Sequence, residues 1–254
     1  MIRIAILLLI ANVAFAQHEW TYPENGIAKT IIGEDVWVFK IDQKKMGFYA
    51  KGSNTERKTL PEWAKYAAGA INLNMFGLGD LPNGYTKLNS KVIQPNIRRD
   101  YNAFIVWDKD TLIIMDRYAD GMKKIMSYPN VSQNIRMIVE DSPRNTWQID
   151  SKKWSVSTIA TTVDGDVLFI HSRYPYTMHE YIDMLLNANL DIYRMAYLEG
   201  GPESQIGIYG HFSRPLKLHQ LGNQRMGSYE TDFVEHDEIN TFWEIPWVLC
   251  FERK

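Results

Sequence analysis

Apolar residues along this chain mostly alternate with polar ones in short runs bounded by Gly, Pro, Asn and Asp, which is the pattern of half-buried strands. Residues 36–41 and 45–50 predict two strands around a polar turn at 42–44. Residues 70–76 predict another, ending in a Gly/Pro-rich loop at 77–85. Residues 101–107 and 111–116 read as a hairpin around Asp108-Lys109-Asp110, and 135–140 as a further strand. The strongest hairpin signal is Asp164-Gly165 between 155–162 and 167–172. Residues 192–198 and 247–251 are apolar enough to predict buried strands.

Helical spacing is rarer. Thr59 with Glu62 forms a capping box that predicts a short helix closed by Gly69, and a second short helix is expected at 121–126. The best helix runs over 178–187. Thr177 is its N-cap, Glu180 completes the box, and Met178, Tyr181, Ile182, Leu185 and Leu186 form one apolar face. Many strands and few helices predict an α+β fold: a mixed, largely antiparallel sheet with a few packed helices.

With 254 residues, 45% of them apolar, and no repeat or linker, one domain is expected. Residues 1–16 stand apart: Arg3, an apolar run at 4–10 and Ala14-Phe15-Ala16 have the form of a secretory leader. The domain is therefore expected over 17–254, in a periplasmic or secreted protein that does not span the membrane. A single cysteine, Cys250, forbids an internal disulfide, and its place in an apolar strand reads as core. A net charge of −2 with the signs interspersed provides no footprint for nucleic acid.

Chemistry concentrates at Leu198-Glu199-Gly200-Gly201-Pro202-Glu203-Ser204. Glu199 ends an apolar strand, and Gly200 and Gly201 let the chain turn and approach a ligand closely; an ordinary tight turn with a solvated glutamate fits equally. Asn72 and Asn74, two apart, are expected on one strand face as amide donors, unless they simply form a turn. Asn134 shares a face with Arg136, whose guanidinium suits a phosphate; Arg173 is a second such candidate. The six histidines are scattered without a zinc spacing, so no metal site and no cofactor is expected, although a divalent metal stays possible.

These segments, taken in order, resemble the phosphodiester glycosidase family, which includes the mannose-6-phosphate uncovering enzyme. Ala70-Ile71-Asn72-Leu73-Asn74-Met75-Phe76 is similar to its Asn-Gly-Gly-Phe-Phe element, and Gln133-Asn134-Ile135-Arg136 to its central strand. Residues 154–170 resemble its core hairpin, and residues 198–204 stand in place of its Leu-Asp-Gly-Gly-Gly-Ser signature. The match covers about residues 65–210, with 227–251 similar to the tail of a bacterial subgroup. The resemblance implies an exported hydrolase cleaving a sugar-1-phosphodiester or related glycan bond, with a small-molecule or glycan substrate. Glu199 would be its catalytic carboxylate, and Asn72, Asn74, Asn134, Arg136, Arg173, Gly200 and Gly201 its substrate-binding residues. Glu199 stands where the family has aspartate, and the family arginine of the strand at 156–160 is absent. The alternative is a non-catalytic glycan-binding or envelope-associated protein on the same fold.

Overall fold

The computed structural model describes residues 19–33, 35–139, 144–172, 174–209 and 243–254. The leader at 1–16, Arg173, His211 and most of the tail-like segment at 227–251 lie outside the described residues.

Two antiparallel sheets pack face to face. The larger runs Thr21–Glu24, Ile27–Ile32, Val36–Ile41, Val167–Ser172, Val156–Thr162, Ile192–Gly200 and Asn130–Val139, then Thr86–Leu88 and Lys91–Gln94. The hairpin Ala103–Trp107/Leu112–Asp116 also pairs with Asn130–Val139. The smaller sheet is Ile206–Ile208, Gly69–Asn72, Trp247–Arg253 and Met46–Gly52. Between the sheets, Phe39, Ile159, Phe169 and Leu198 meet Phe48, Ile71, Leu249 and Phe251. Phe169 and Phe251 lie edge to face with ring centroids 5.3 Å apart.

Helix Met178–Asn187 covers the other face of the large sheet. The Thr177 hydroxyl accepts the Glu180 N–H at 3.2 Å, and the Glu180 carboxylate accepts the Thr177 N–H at 3.3 Å, as its capping box requires. Met178, Tyr181, Ile182 and Leu185 are buried against Val38, Ala160, Leu168 and Ile170. With this helix on one face and the second sheet on the other, strands Val156–Thr162 and Val167–Ser172 are buried at every position.

The fold is therefore mainly β, where α+β was expected, and every pairing among the described residues is antiparallel rather than mixed. The capping signals mark true helix starts, but a cap does not set length: the other helices, Leu60–Trp63 and Met122–Ser127, span only 4 and 6 residues. Gly69 does not close a helix. It opens strand Gly69–Asn72, and a Cβ there would stand 2.2 Å from Phe251 Cζ and 2.8 Å from the Gly207 carbonyl oxygen.

Candidate functional site

Glu199 owes its direction to a β-bulge. Strands Val156–Thr162 and Ile192–Gly200 pair Ser157 with Glu199 but Thr158 with Tyr197, so Leu198 has no partner. The extra residue resets the alternation: Leu198 stays in the inter-sheet core and Glu199 comes to lie opposite Ser157. From Ser157 the Oγ donates 2.5 Å to Asn72 Oδ1, which joins the large sheet to the small one. Asn72 Oδ1 also accepts the Gln205 N–H at 3.0 Å.

The residue is part-buried, and burial is the largest influence on its carboxyl. It accepts the Gly200 N–H at 3.0 Å, and the nearby Phe76 backbone N–H also favours its ionised form. Burial raises its pKa from the ordinary 4.5 to about 8, and the nearby Glu203 charge adds to the rise against the pull of the two N–H donors. At neutral pH Glu199 is mainly a protonated acid. Tyr101 lies within its electrostatic reach; burial chiefly, with the charges of Asp100 and Glu199, raises that phenol against the opposing pull of Arg98.

The two glycines differ. Gly201 has φ +68, a conformation that glycine adopts without strain, and its N–H donates 2.8 Å to Ser155 O. Gly200 is extended; it is needed for space, because a Cβ would lie 2.2 Å from Trp154 Cδ1 and 2.3 Å from Tyr197 Oη. The indole fills the place that the sequence reserved for a close-approaching ligand.

The asparagines are buried and only half used. Asn72 is anchored through Oδ1, and its Nδ2 has no hydrogen-bond partner among the described residues. Asn74 lies beyond the end of strand Gly69–Asn72, with Oδ1 accepting from Ser132 Oγ and Nδ2 without a partner. Asn134 donates from Nδ2 to Ser132 Oγ at 2.8 Å and to Ser132 O at 3.2 Å, and its Oδ1 is unmatched. Neighbouring Gln133 ties surrounding loops together, accepting from Tyr85 and Arg98 N–H at 3.0 Å each and donating to Arg98 O and Tyr101 O. Arg136 is engaged elsewhere: its Nη1 lies 2.5 Å from the carboxylate of Asp116, which is itself buried.

Thus Asn72, Glu199, Gly200 and Gly201 come together, Asn74 and Asn134 meet at Ser132, and Arg136 pairs with Asp116. Sequence reasoning missed Ser157, Gln205 and the pair His171 and Ser204. His171 stands opposite Ser157 on the neighbouring strand, and its Nδ1 is 3.1 Å from Ser204 Oγ. For Ser157 and His171 the signal was present as polar residues inside strands apolar enough to be buried on both faces, whereas Ser204 and Gln205 lie between the Gly201–Glu203 turn and strand Ile206–Ile208. Among the described residues, no three His, Cys, Asp or Glu side chains gather to hold a metal. An open depression of about 420 Å³ lined by Asp120, Gly121, Lys123, Lys124 and Ser127 contains none of the candidate residues. No helix of the described residues is long and apolar enough to cross a membrane.

No protein-family model and no curated protein sequence matches the chain. Solved structures do. The chain superposes on the zebrafish N-acetylglucosamine-1-phosphodiester alpha-N-acetylglucosaminidase catalytic domain, auto-inhibited by its pro-peptide, with a TM-score of 0.55 and 11% identity, over 93% of this chain and 82% of that one. A hypothetical protein from Synechocystis gives a TM-score of 0.57 at 12% identity, over 93% of this chain and 61% of that one. At these identities the likeness is one of fold.

Proposed function

We propose that this chain is an exported hydrolase of the phosphodiester glycosidase type, acting on a sugar-1-phosphodiester or a related glycan bond. The observation that carries the reading is a part-buried Glu199 carboxyl that accepts the Gly200 N–H, with Ser157 joining its strand to an Asn72 amide whose Nδ2 is unspent. A buried amide end without a partner costs stability, and a ligand hydroxyl or phosphoryl oxygen would meet it. Asn72 Nδ2 and Asn74 Nδ2 are the donors in this scheme and Asn134 Oδ1 the acceptor. Glu199, mainly protonated at neutral pH, delivers its proton to the leaving oxygen as the glycosyl bond breaks; ionised, it stabilises the oxocarbenium-like centre and takes the proton of the water that adds there, which restores the acid. A phosphate leaving group needs less of that proton than a glycosidic alcohol does, so a protonated Glu199 suits the related glycan bond at least as well. Gly201 sets the turn beside Glu199, and Gly200 lets Trp154 close its wall. Arg136 is the first phosphate-binding candidate by sequence, but Asp116 already matches its charge, so the scheme turns to Arg173, the second.

The test is turnover of glycosyl phosphodiesters and simple glycosides by the wild-type chain and by Glu199→Gln. Loss of general-acid help is expected to lower kcat at least 100-fold, about the lower end of what such a group supplies. Unchanged turnover in the variant removes Glu199 from the mechanism. The pairing of Arg136 with Asp116 favours the non-catalytic glycan-binding reading instead, and ligand-induced thermal shifts without product release would select it.

A further inference from the structure

Ser132 and Asn134 share a face of strand Asn130–Val139, and Asn74 reaches them from beyond the end of strand Gly69–Asn72. All three are at most 2% exposed. Their hydrogen bonds have only one consistent polarity. The Asn134 amide faces the Ser132 carbonyl oxygen at 3.2 Å, and a carbonyl only accepts, so the near end of that amide is Nδ2. The same Nδ2 donates to Ser132 Oγ at 2.8 Å, which leaves the hydroxyl proton for Asn74 Oδ1. Asn74 Nδ2 and Asn134 Oδ1 are thereby the ends turned away from Ser132, and neither has a hydrogen-bond partner among the described residues. Turning both amides over would set Asn134 Oδ1 against the Ser132 carbonyl oxygen, two acceptors with no proton between them.

Asn72 is fixed in the same way but presents something different. The Gln205 N–H, which only donates, holds its Oδ1 at 3.0 Å, so Ser157 Oγ donates to that oxygen too and Nδ2 is the unspent end. Asn72 therefore offers a donor alone, whereas the pair around Ser132 offers a donor and an acceptor. A hydroxyl answers both, accepting from Asn74 and donating to Asn134. An ionised phosphoryl oxygen has lone pairs but no proton, and would leave Asn134 Oδ1 unmet.

We propose that Ser132 is a specificity-determining residue: it fixes the polarity of Asn74 and Asn134 so that the pair takes a neutral sugar hydroxyl and not a phosphoryl group. This rests on the reading above that these amides meet the substrate, whereas the polarity itself follows from the Ser132 carbonyl.

The experiment follows the side-chain amide resonances of the full ¹⁵N-labelled chain, with Asn74 assigned by its loss in Asn74→Asp, as methyl glycosides of glucose, galactose and mannose or inorganic phosphate are added. A glycoside is expected to shift the Asn74 amide, and phosphate is not. In Ser132→Ala the Asn74 amide loses the proton that orients it, and affinity for that glycoside is expected to fall about 3–10-fold, with Ser132→Thr restoring it because the hydroxyl returns. If Ser132→Ala does not fold, Asn74→Asp reads the same point, since it keeps an acceptor for Ser132 but removes the donor, and a loss of the same size is expected. The proposal is overturned if no glycoside moves the Asn74 amide, if phosphate does, or if folded Ser132→Ala binds the glycoside as the wild type does. Should the glycoside bind as expected while Glu199→Gln turns over substrate normally, the specificity stands and the assignment of Glu199 to catalysis falls; an inactive Glu199→Gln with an unmoved Asn74 amide sinks the specificity alone.

Discussion

Glu199 combines a part-buried carboxyl with a like charge at Glu203, and the consequence can be read in stability as well as in chemistry. Its folded pKa of about 8 exceeds the ordinary 4.5, so between those values the folded chain holds a proton that the unfolded chain releases. Its contribution is complete below pH 4.5 and is lost as the pH rises to about 8. Glu199→Gln, neutral throughout, should lose less stability than the wild type between pH 5 and 9, by up to a few kcal/mol on the order of the shift. Urea denaturation at the two pH values measures it; parallel curves for the two proteins would contradict the raised pKa. At Asn72 one oxygen serves both the Ser157 hydroxyl and the Gln205 N–H. Asn72→Ala strands those two buried donors and is expected to cost about 2–4 kcal/mol in the same assay. The fate of these residues shows how far sequence reached. It picked out Asn72, Asn74 and Glu199 as polar groups at the ends of apolar runs, but the hydrogen-bond partners of the two asparagines lie 85 and 58 residues away.

At the scale of elements, local signals fared well where the cause is local. The Asp108 hairpin turn forms with Asp110 and Thr111 N–H donating 2.8 Å to Asp108 Oδ1, and Gly165 takes φ +85 in the turn expected of it. The Thr177 box starts its helix for the same reason. Strand edges and glycine roles were harder to read. Gly69 looks like a helix stop in sequence but serves close strand approach, and the bulge at Leu198 leaves no sequence mark at all, being defined only by the partner strand. Gly200→Ala tests the element directly. Its Cβ would collide with Trp154 and Tyr197, so a loss of about 1–3 kcal/mol is expected, with changed near-ultraviolet dichroism from the displaced indole. A neutral outcome would show that this wall yields.

For the whole molecule, stability rests on the seam between the sheets, where Phe251 is fully buried against Phe169 and beside Gly69. Phe251→Ala should cost about 3–5 kcal/mol and lower Tm cooperatively in calorimetry, because it opens a cavity that two sheets share. A loss under about 1 kcal/mol would mean that the sheets do not stabilise one another through this contact. What the sequence determined by itself were properties of neighbouring residues: the alternation that makes strands, the turns, the helix caps, and a carboxylate followed by two glycines. Tertiary structure alone decided that the described strands pair only antiparallel, with two large sheets packed face to face, that Arg136 belongs to Asp116, and that Gly200 accommodates Trp154. It also decided that Glu199 is a part-buried strand residue rather than a solvated turn residue. The physical reason is the same in each case. Burial and ion pairing depend on which distant segment arrives opposite a residue, and that is set by strand pairing across the chain, not by the residue's own neighbours.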